Sequence, residues 1–156
     1  MTLQDHDFLN RAFEAAKKAD HIFPEMAACE AALESGYGRS VLAAQDNNLF
    51  GMKAHAHPDH PEWGTVTLPT NEFYGGKWIA VEANWIVYPE WADCFADRMA
   101  TLKRLEPFYP HYARALAAGQ PELYVMEVSS TWSTDPKRAQ KVLAIYDAVA
   151  GDWNAT

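Results

Sequence analysis

Apolar residues recur at helical spacing from the start of the chain: Phe8, Leu9, Ala12, Phe13 and Ala16 fall on one face of residues 3–18, which predicts an amphipathic helix. Pro24 stands at a favourable first-turn position for a second helix, which runs to Ser35 before Gly36 and Gly38 stop it. Ser40 can cap a short third helix through Gln45, and Asn47-Asn48 breaks it ahead of Leu49-Phe50-Gly51-Met52-Lys53. Residues 54–64 read as a loop. The period then changes, because Thr65-Val66-Thr67-Leu68 and residues 77–88 are rich in β-branched and aromatic side chains around Gly75-Gly76. That pattern predicts a β-hairpin with Asn71, Glu72 and Phe73 near its turn. Helical spacing returns over about 91–104, 109–118, 122–130 and 136–150. The expected fold class is α+β, mainly α: a helical lobe and a small β-hairpin lobe, about residues 64–88, flanking a cleft within a single domain over 1–156.

Composition narrows the function. At 156 residues and 49% hydrophobic content, the chain suits one real core. A net charge of −8 without clustered Lys and Arg argues against nucleic acid and against anionic surfaces. The start, Met1-Thr2-Leu3-Gln4-Asp5-His6-Asp7, lacks a basic segment followed by an apolar run, and no stretch approaches a membrane span. The protein is therefore expected to be made in the cytoplasm without a signal peptide and not to insert in a membrane. Cys29 and Cys94 fall among apolar neighbours in predicted helices, so buried free thiols are expected, with a disulfide left open should those helices adjoin. His55, His57 and His60 lie close to Asp59 and Glu62 without a recognised ligand spacing; a solvated loop is expected, with no metal and no cofactor.

The odd residue is Glu34, an anion in the last turn of an apolar helix, where the helix dipole favours cations. Glu30 lies one turn below on the face shared with Met26 and adds like-charge repulsion. Both effects predict a Glu34 proton held more tightly than usual, the condition a general acid for glycosidic cleavage needs. An ordinary exposed Glu at a frayed helix end fits the same position. Glu72, taken alone, is a solvated carboxylate near a hairpin tip. Phe50, Tyr74, Trp78 and Tyr88 are candidate sugar platforms, with Phe50 and Tyr74 foremost, while Asn47, Asn48 and Asp135 suit turns and a helix start.

Four ordered motifs carry a resemblance: Glu34-Ser35-Gly36-Tyr37-Gly38-Arg39-Ser40, Asn48-Leu49-Phe50-Gly51-Met52-Lys53, Thr70-Asn71-Glu72-Phe73 before a Gly76-Lys77-Trp78 strand, and Thr134-Asp135-Pro136-Lys137. From about residue 8 to 150 the chain resembles glycoside hydrolase family 73, the glucosaminidase domains of bacterial autolysins, flagellar peptidoglycan hydrolases and some phage endolysins. The resemblance implies a lysozyme-like fold and cleavage of the β-1,4 bond between N-acetylglucosamine and N-acetylmuramic acid. It assigns Glu34 as general acid and Glu72 as the second acidic residue. Trp132 stands where the family usually has a cleft-lining Tyr near the acetamido group. Glu30 stands where Gln is usual, so a place beside the substrate and a proton shared with Glu34 are expected of it. Two routes stay open: Glu72 as base for water, or attack by the substrate's own N-acetyl oxygen. Alternatives are an N-acetylmuramidase or lytic transglycosylase on the same fold, or a non-catalytic glycan-binding module. The implied partner is a peptidoglycan glycan strand, met by a monomer acting on the cell wall after release or export, with a phage or prophage endolysin as the expected context.

Overall fold

The computed structural model describes residues 1–56 and 59–154. Helix α1 (Leu3–Lys18) opens with a reciprocal cap: Asp5 N–H donates to Thr2 Oγ1 at 3.1 Å, and Thr2 N–H donates to Asp5 Oδ2 at 2.7 Å. It buries Phe8, Leu9, Ala12 and Ala16 of the predicted stripe, while Phe13 is half-buried. Helix α2 (Pro24–Ser35) is buried on nearly every side, from Met26 through Ala32, and packs against α1, α6 (Pro121–Trp132) and α7 (Arg138–Asn154). Alanines and one cysteine fill it because neighbouring helices approach it all round.

Where α2 ends, Gly36, Tyr37 and Gly38 all adopt positive φ. A side-chain carbon on Gly38 would stand 2.8 Å from the Phe8 ring, so this turn lies hard against α1. Arg39 ties it there by an ion pair to Asp5 at 2.7 Å. Helix α3 (Val41–Asp46) starts at the predicted cap, with Ser40 Oγ accepting from Ala43 N–H. Helices α4 (Trp91–Leu105) and α5 (Pro110–Leu116) complete the body.

The hairpin is longer on its first side than expected. Strand β1 (Gly64–Tyr74) runs through Pro69 and includes Glu72, and it pairs antiparallel with β2 (Lys77–Val87) from Gly64↔Val87 to Tyr74↔Lys77. Pro69 is tolerated because β1 is an edge strand. Gly75 and Gly76, both at positive φ, make the two-residue turn. The other edge of β2 takes a short rung from a segment expected as motif and loop. Ile86 N–H donates to Met52 C=O at 3.1 Å, and Ala54 N–H donates to Asn84 C=O at 2.8 Å. Buried Asn48 fixes that rung, donating from Nδ2 to Met52 and Ile86 carbonyls and accepting from Met52 N–H. Among the described residues no helix is long and apolar enough to cross a membrane. Cys29 and Cys94 are separate, buried free thiols, and burial pushes the Cys94 thiol up to about 12.

Candidate active site

Glu34 ends α2 beside the Gly36 turn, and 24% of its side chain is exposed. Its Oε1 accepts from Arg138 Nε at 2.8 Å. Arg138, the first residue of α7, is buried, and its remaining donors go inward: Nη1 to Ser129 Oγ at 2.9 Å and Nη2 to Glu30 Oε2 at 2.8 Å. One guanidinium therefore joins the open carboxylate to a buried one. Asp135, just ahead, accepts from Lys137 N–H at 2.9 Å and shapes the start of this helix, as expected.

Glu30 differs from its expected role. It is fully buried and touches no solvent, so it cannot contact substrate. Its carboxylate accepts four hydrogen bonds: from Arg98 Nη1 at 3.0 Å, Arg98 Nη2 at 2.9 Å, Tyr124 Oη at 2.9 Å and Arg138 Nη2 at 2.8 Å. Burial disfavours its ionised form, but Arg98 and then Arg138 outweigh burial and hold the Glu30 carboxyl at about 2. The like-charge repulsion expected between Glu30 and Glu34 is thus intercepted. Glu34 faces the Arg138 cation, and a proton shared between the two glutamates has no place in this arrangement.

Arg98 lies between two rings, 4.8 Å from the centroid of Phe50 and 4.4 Å from that of Trp132. Phe50, expected as a sugar platform, is only 5% exposed and meets Phe95 edge-on. It supports Arg98 from inside the core. Trp132 is half-buried on the other side of the guanidinium. Tyr88 is also withdrawn from any cleft, being buried with its hydroxyl on Asp97. Three of the expected substrate contacts, Glu30, Phe50 and Trp132, therefore meet around Arg98 behind Glu34.

Glu72 forms a second cluster on the hairpin. Its Oε1 accepts from Lys53 Nζ at 2.6 Å and its Oε2 from Tyr74 Oη at 2.6 Å. Lys53 first, then Tyr74, hold its carboxyl below the usual range, so it is ionised at neutral pH. Tyr74 serves here as a partner of Glu72 while its ring stays exposed. Trp78 pairs with Phe73 across the strands, at 5.3 Å between ring centroids. Residue 73 alternates with 72 in the pleat, so that aromatic pair occupies the opposite face from Glu72.

The histidine loop has other occupations. His55 approaches Asp97 at 3.5 Å, and His60 stacks on Trp63 at 4.1 Å and meets Glu62 at 3.2 Å. His57 lies outside the described residues.

Arg98, Arg138, Tyr124 and Lys53 were not anticipated. A signal existed for the arginines: a carboxylate on a helix with no solvated face requires a buried cation. Arg98 sits on the stripe of Cys94, Phe95 and Leu102 that α4 turns inward.

The network extends to buried His21, whose Nδ1 accepts from Phe23 N–H at 3.0 Å and whose Nε2 lies 3.4 Å from Tyr124 Oη. Nε2 then carries the proton of the neutral ring. Burial first, then Arg98, lowers its pKa to about 4. Between pH 6.5 and 4 the unfolded chain binds the proton that the folded one refuses, so stability falls as the medium is acidified through that window. The full drop is on the order of 3 kcal/mol. Urea unfolding at pH 7 and pH 4.5 is expected to show most of it, and His21→Gln, if it folds, to flatten the dependence.

Residues 10–150 match the family described as Glucosaminidase: Mannosyl-glycoprotein endo-beta-N-acetylglucosaminidase. The chain is 32% identical over 129 residues to the exo-glucosaminidase LytG of Bacillus subtilis, covering 81% of this chain and 44% of the relative. It is 32% identical over 133 residues to the peptidoglycan hydrolase FlgJ of Pseudomonas aeruginosa, covering 78% of this chain and 32% of the relative. The chain thus spans less than half the length of either relative. Its fold matches the crystal structure of the catalytic domain of the autolysin Auto from Listeria monocytogenes with a TM-score of 0.75, 25% identity, and coverage of 95% of this chain and 85% of that one. A mainly helical body bearing a two-stranded antiparallel hairpin is the lysozyme-like arrangement of glycoside hydrolase catalytic domains.

Proposed function

The chain belongs to the glucosaminidase family, and from that premise we propose that it hydrolyses peptidoglycan at the β-1,4 bond between N-acetylglucosamine and N-acetylmuramic acid, with Glu34 as general acid. The observation that carries this reading is the place of Glu34: a partly exposed carboxyl group at the end of α2, on the family's Glu-Ser-Gly motif. Arg138 occupies Oε1, so the transferable proton belongs on Oε2. As the anomeric carbon–oxygen bond breaks, that proton passes to the leaving oxygen and the carboxylate left behind keeps its bond to Arg138.

Glu72, ionised by its Lys53 and Tyr74 partners, supplies the second function on the hairpin. As base for water it gives inversion, with the two carboxyl groups roughly 6.5–9.5 Å apart in the complex. If the acetamido oxygen attacks the anomeric carbon instead, Glu72 orients that group and configuration is retained. Trp132 lines the cleft with the part of its ring that Arg98 leaves open. The enzyme acts as a monomer on the cell wall.

The test is digestion of purified peptidoglycan, borohydride reduction and mass spectrometry of the fragments. Reduced N-acetylglucosamine at the new ends is the expected result. Reduced or anhydro muramic acid would move the cut to the other bond, and intact glycan would remove the hydrolase reading.

A further inference from the structure

Glu72 and Lys53 are in contact although a straight hairpin would keep them apart. Lys53 sits opposite Trp85 in an isolated bridge, and Trp85 sits opposite Val66 in the main ladder. Glu72 is six residues beyond Val66, about 20 Å along a straight strand. That exceeds the combined reach of a lysine and a glutamate side chain, yet Nζ and Oε1 stand 2.6 Å apart. The hairpin must therefore arch towards the face that Lys53 occupies.

Register identifies that face. Val66, Leu68, Thr70, Glu72 and Tyr74 alternate onto it from β1, and Trp85 joins them from β2. Val66, Leu68, Thr70 and Glu72 are partly covered, while Thr65, Thr67, Pro69 and Asn71 between them are exposed. The Lys53 ammonium lies 5.8 Å from the Trp85 ring centroid as it crosses this concave side. Its backbone is immobilised by the rung to β2 and by Asn48, both at the base of the hairpin where Ile86 is buried. Lys53 is thus a strut with one end in the body and the other on the carboxylate.

We propose that Lys53 is a positioning residue for catalysis, latching the arched hairpin through Glu72 so that this carboxylate is held at one height above the helical body. The proposal rests on the reading that Glu72 takes part in the reaction. An exposed lysine–glutamate pair adds little to global stability. Its leverage is local, because among the described residues the far half of the hairpin is otherwise hydrogen-bonded within its own ladder, and small misplacements of a reacting group cost large factors in rate.

The experiment compares the wild type with Lys53→Met, Lys53→Arg, Glu72→Gln and the Lys53→Met/Glu72→Gln double variant on soluble peptidoglycan fragments. Lys53→Met is expected to lower kcat about tenfold with KM changed less than twofold, and Lys53→Arg to recover most of that loss. The double variant should be no slower than Glu72→Gln alone, since Lys53 acts through Glu72. A wild-type kcat in Lys53→Met alongside a slow Glu72→Gln would overturn the latch and leave the role of Glu72 standing. Multiplying losses in the double variant would also overturn it. A wild-type kcat in Glu72→Gln would instead overturn the reading on which the latch rests.

Discussion

Glu34→Gln is expected to reduce kcat on peptidoglycan by about 10²–10⁴-fold while leaving the thermal midpoint nearly unchanged. The amide keeps an oxygen that can accept from Arg138 Nε, and Arg138 retains Glu30 and Ser129, so the buried network survives the change. What is lost is the proton that must reach the leaving oxygen. Steady-state rates by reducing-end release, with a melting curve on the same sample, separate the two effects. Turnover within a few-fold of the wild type would transfer the general-acid role elsewhere.

Glu30→Gln is expected to do the reverse, acting first on stability. The substitution puts an uncharged amide where a carboxylate accepts from both buried guanidinium groups, so Arg98 loses its anion while Arg138 keeps Glu34. Removing one member of a buried ionic cluster typically costs about 3–5 kcal/mol, because the remaining charge is stranded. Denaturant unfolding should show that loss, and a change below about 1 kcal/mol would mean that the carboxylate is not what balances the arginines. Activity should fall with it, because Arg138 would lose the contact that orients its Nε towards Glu34. This replaces the expectation of a direct effect of Glu30 on the Glu34 proton, since Arg138 is bonded to both carboxylates.

Local signals made much of the fold legible. Helices α1 and α2 end where their caps and glycines say they should, because capping is decided within a few residues of chain. Glu34 stood out for the same reason. The role of Glu30 is not legible in the sequence because its arginine partners lie 68 and 108 residues away, and periodicity reports only neighbours on one helix. Phe50 follows the same logic, as its place beneath Arg98 depends on where α4 docks. Trp78 is different. A two-residue Gly75-Gly76 turn pairs 74 with 77 and therefore 73 with 78, so the separation of Trp78 from Glu72 was available from parity alone. Lys53 could not be matched with Glu72, since an arch of the strands leaves no mark in alternation.

The cluster around Glu30 draws side chains from α2, α4, α6 and α7, so it is complete only once α7 has docked. Arg138 is 104 residues from Glu34, so during synthesis the helical core can begin to collapse long before the guanidinium that grips this carboxylate exists. A nascent chain lacking α7 holds a Glu34 without its Arg138 partner and a Glu30 whose cation is Arg98. On the proposed role of Glu34, competence for glycosidic cleavage therefore arrives only as the last described helix docks.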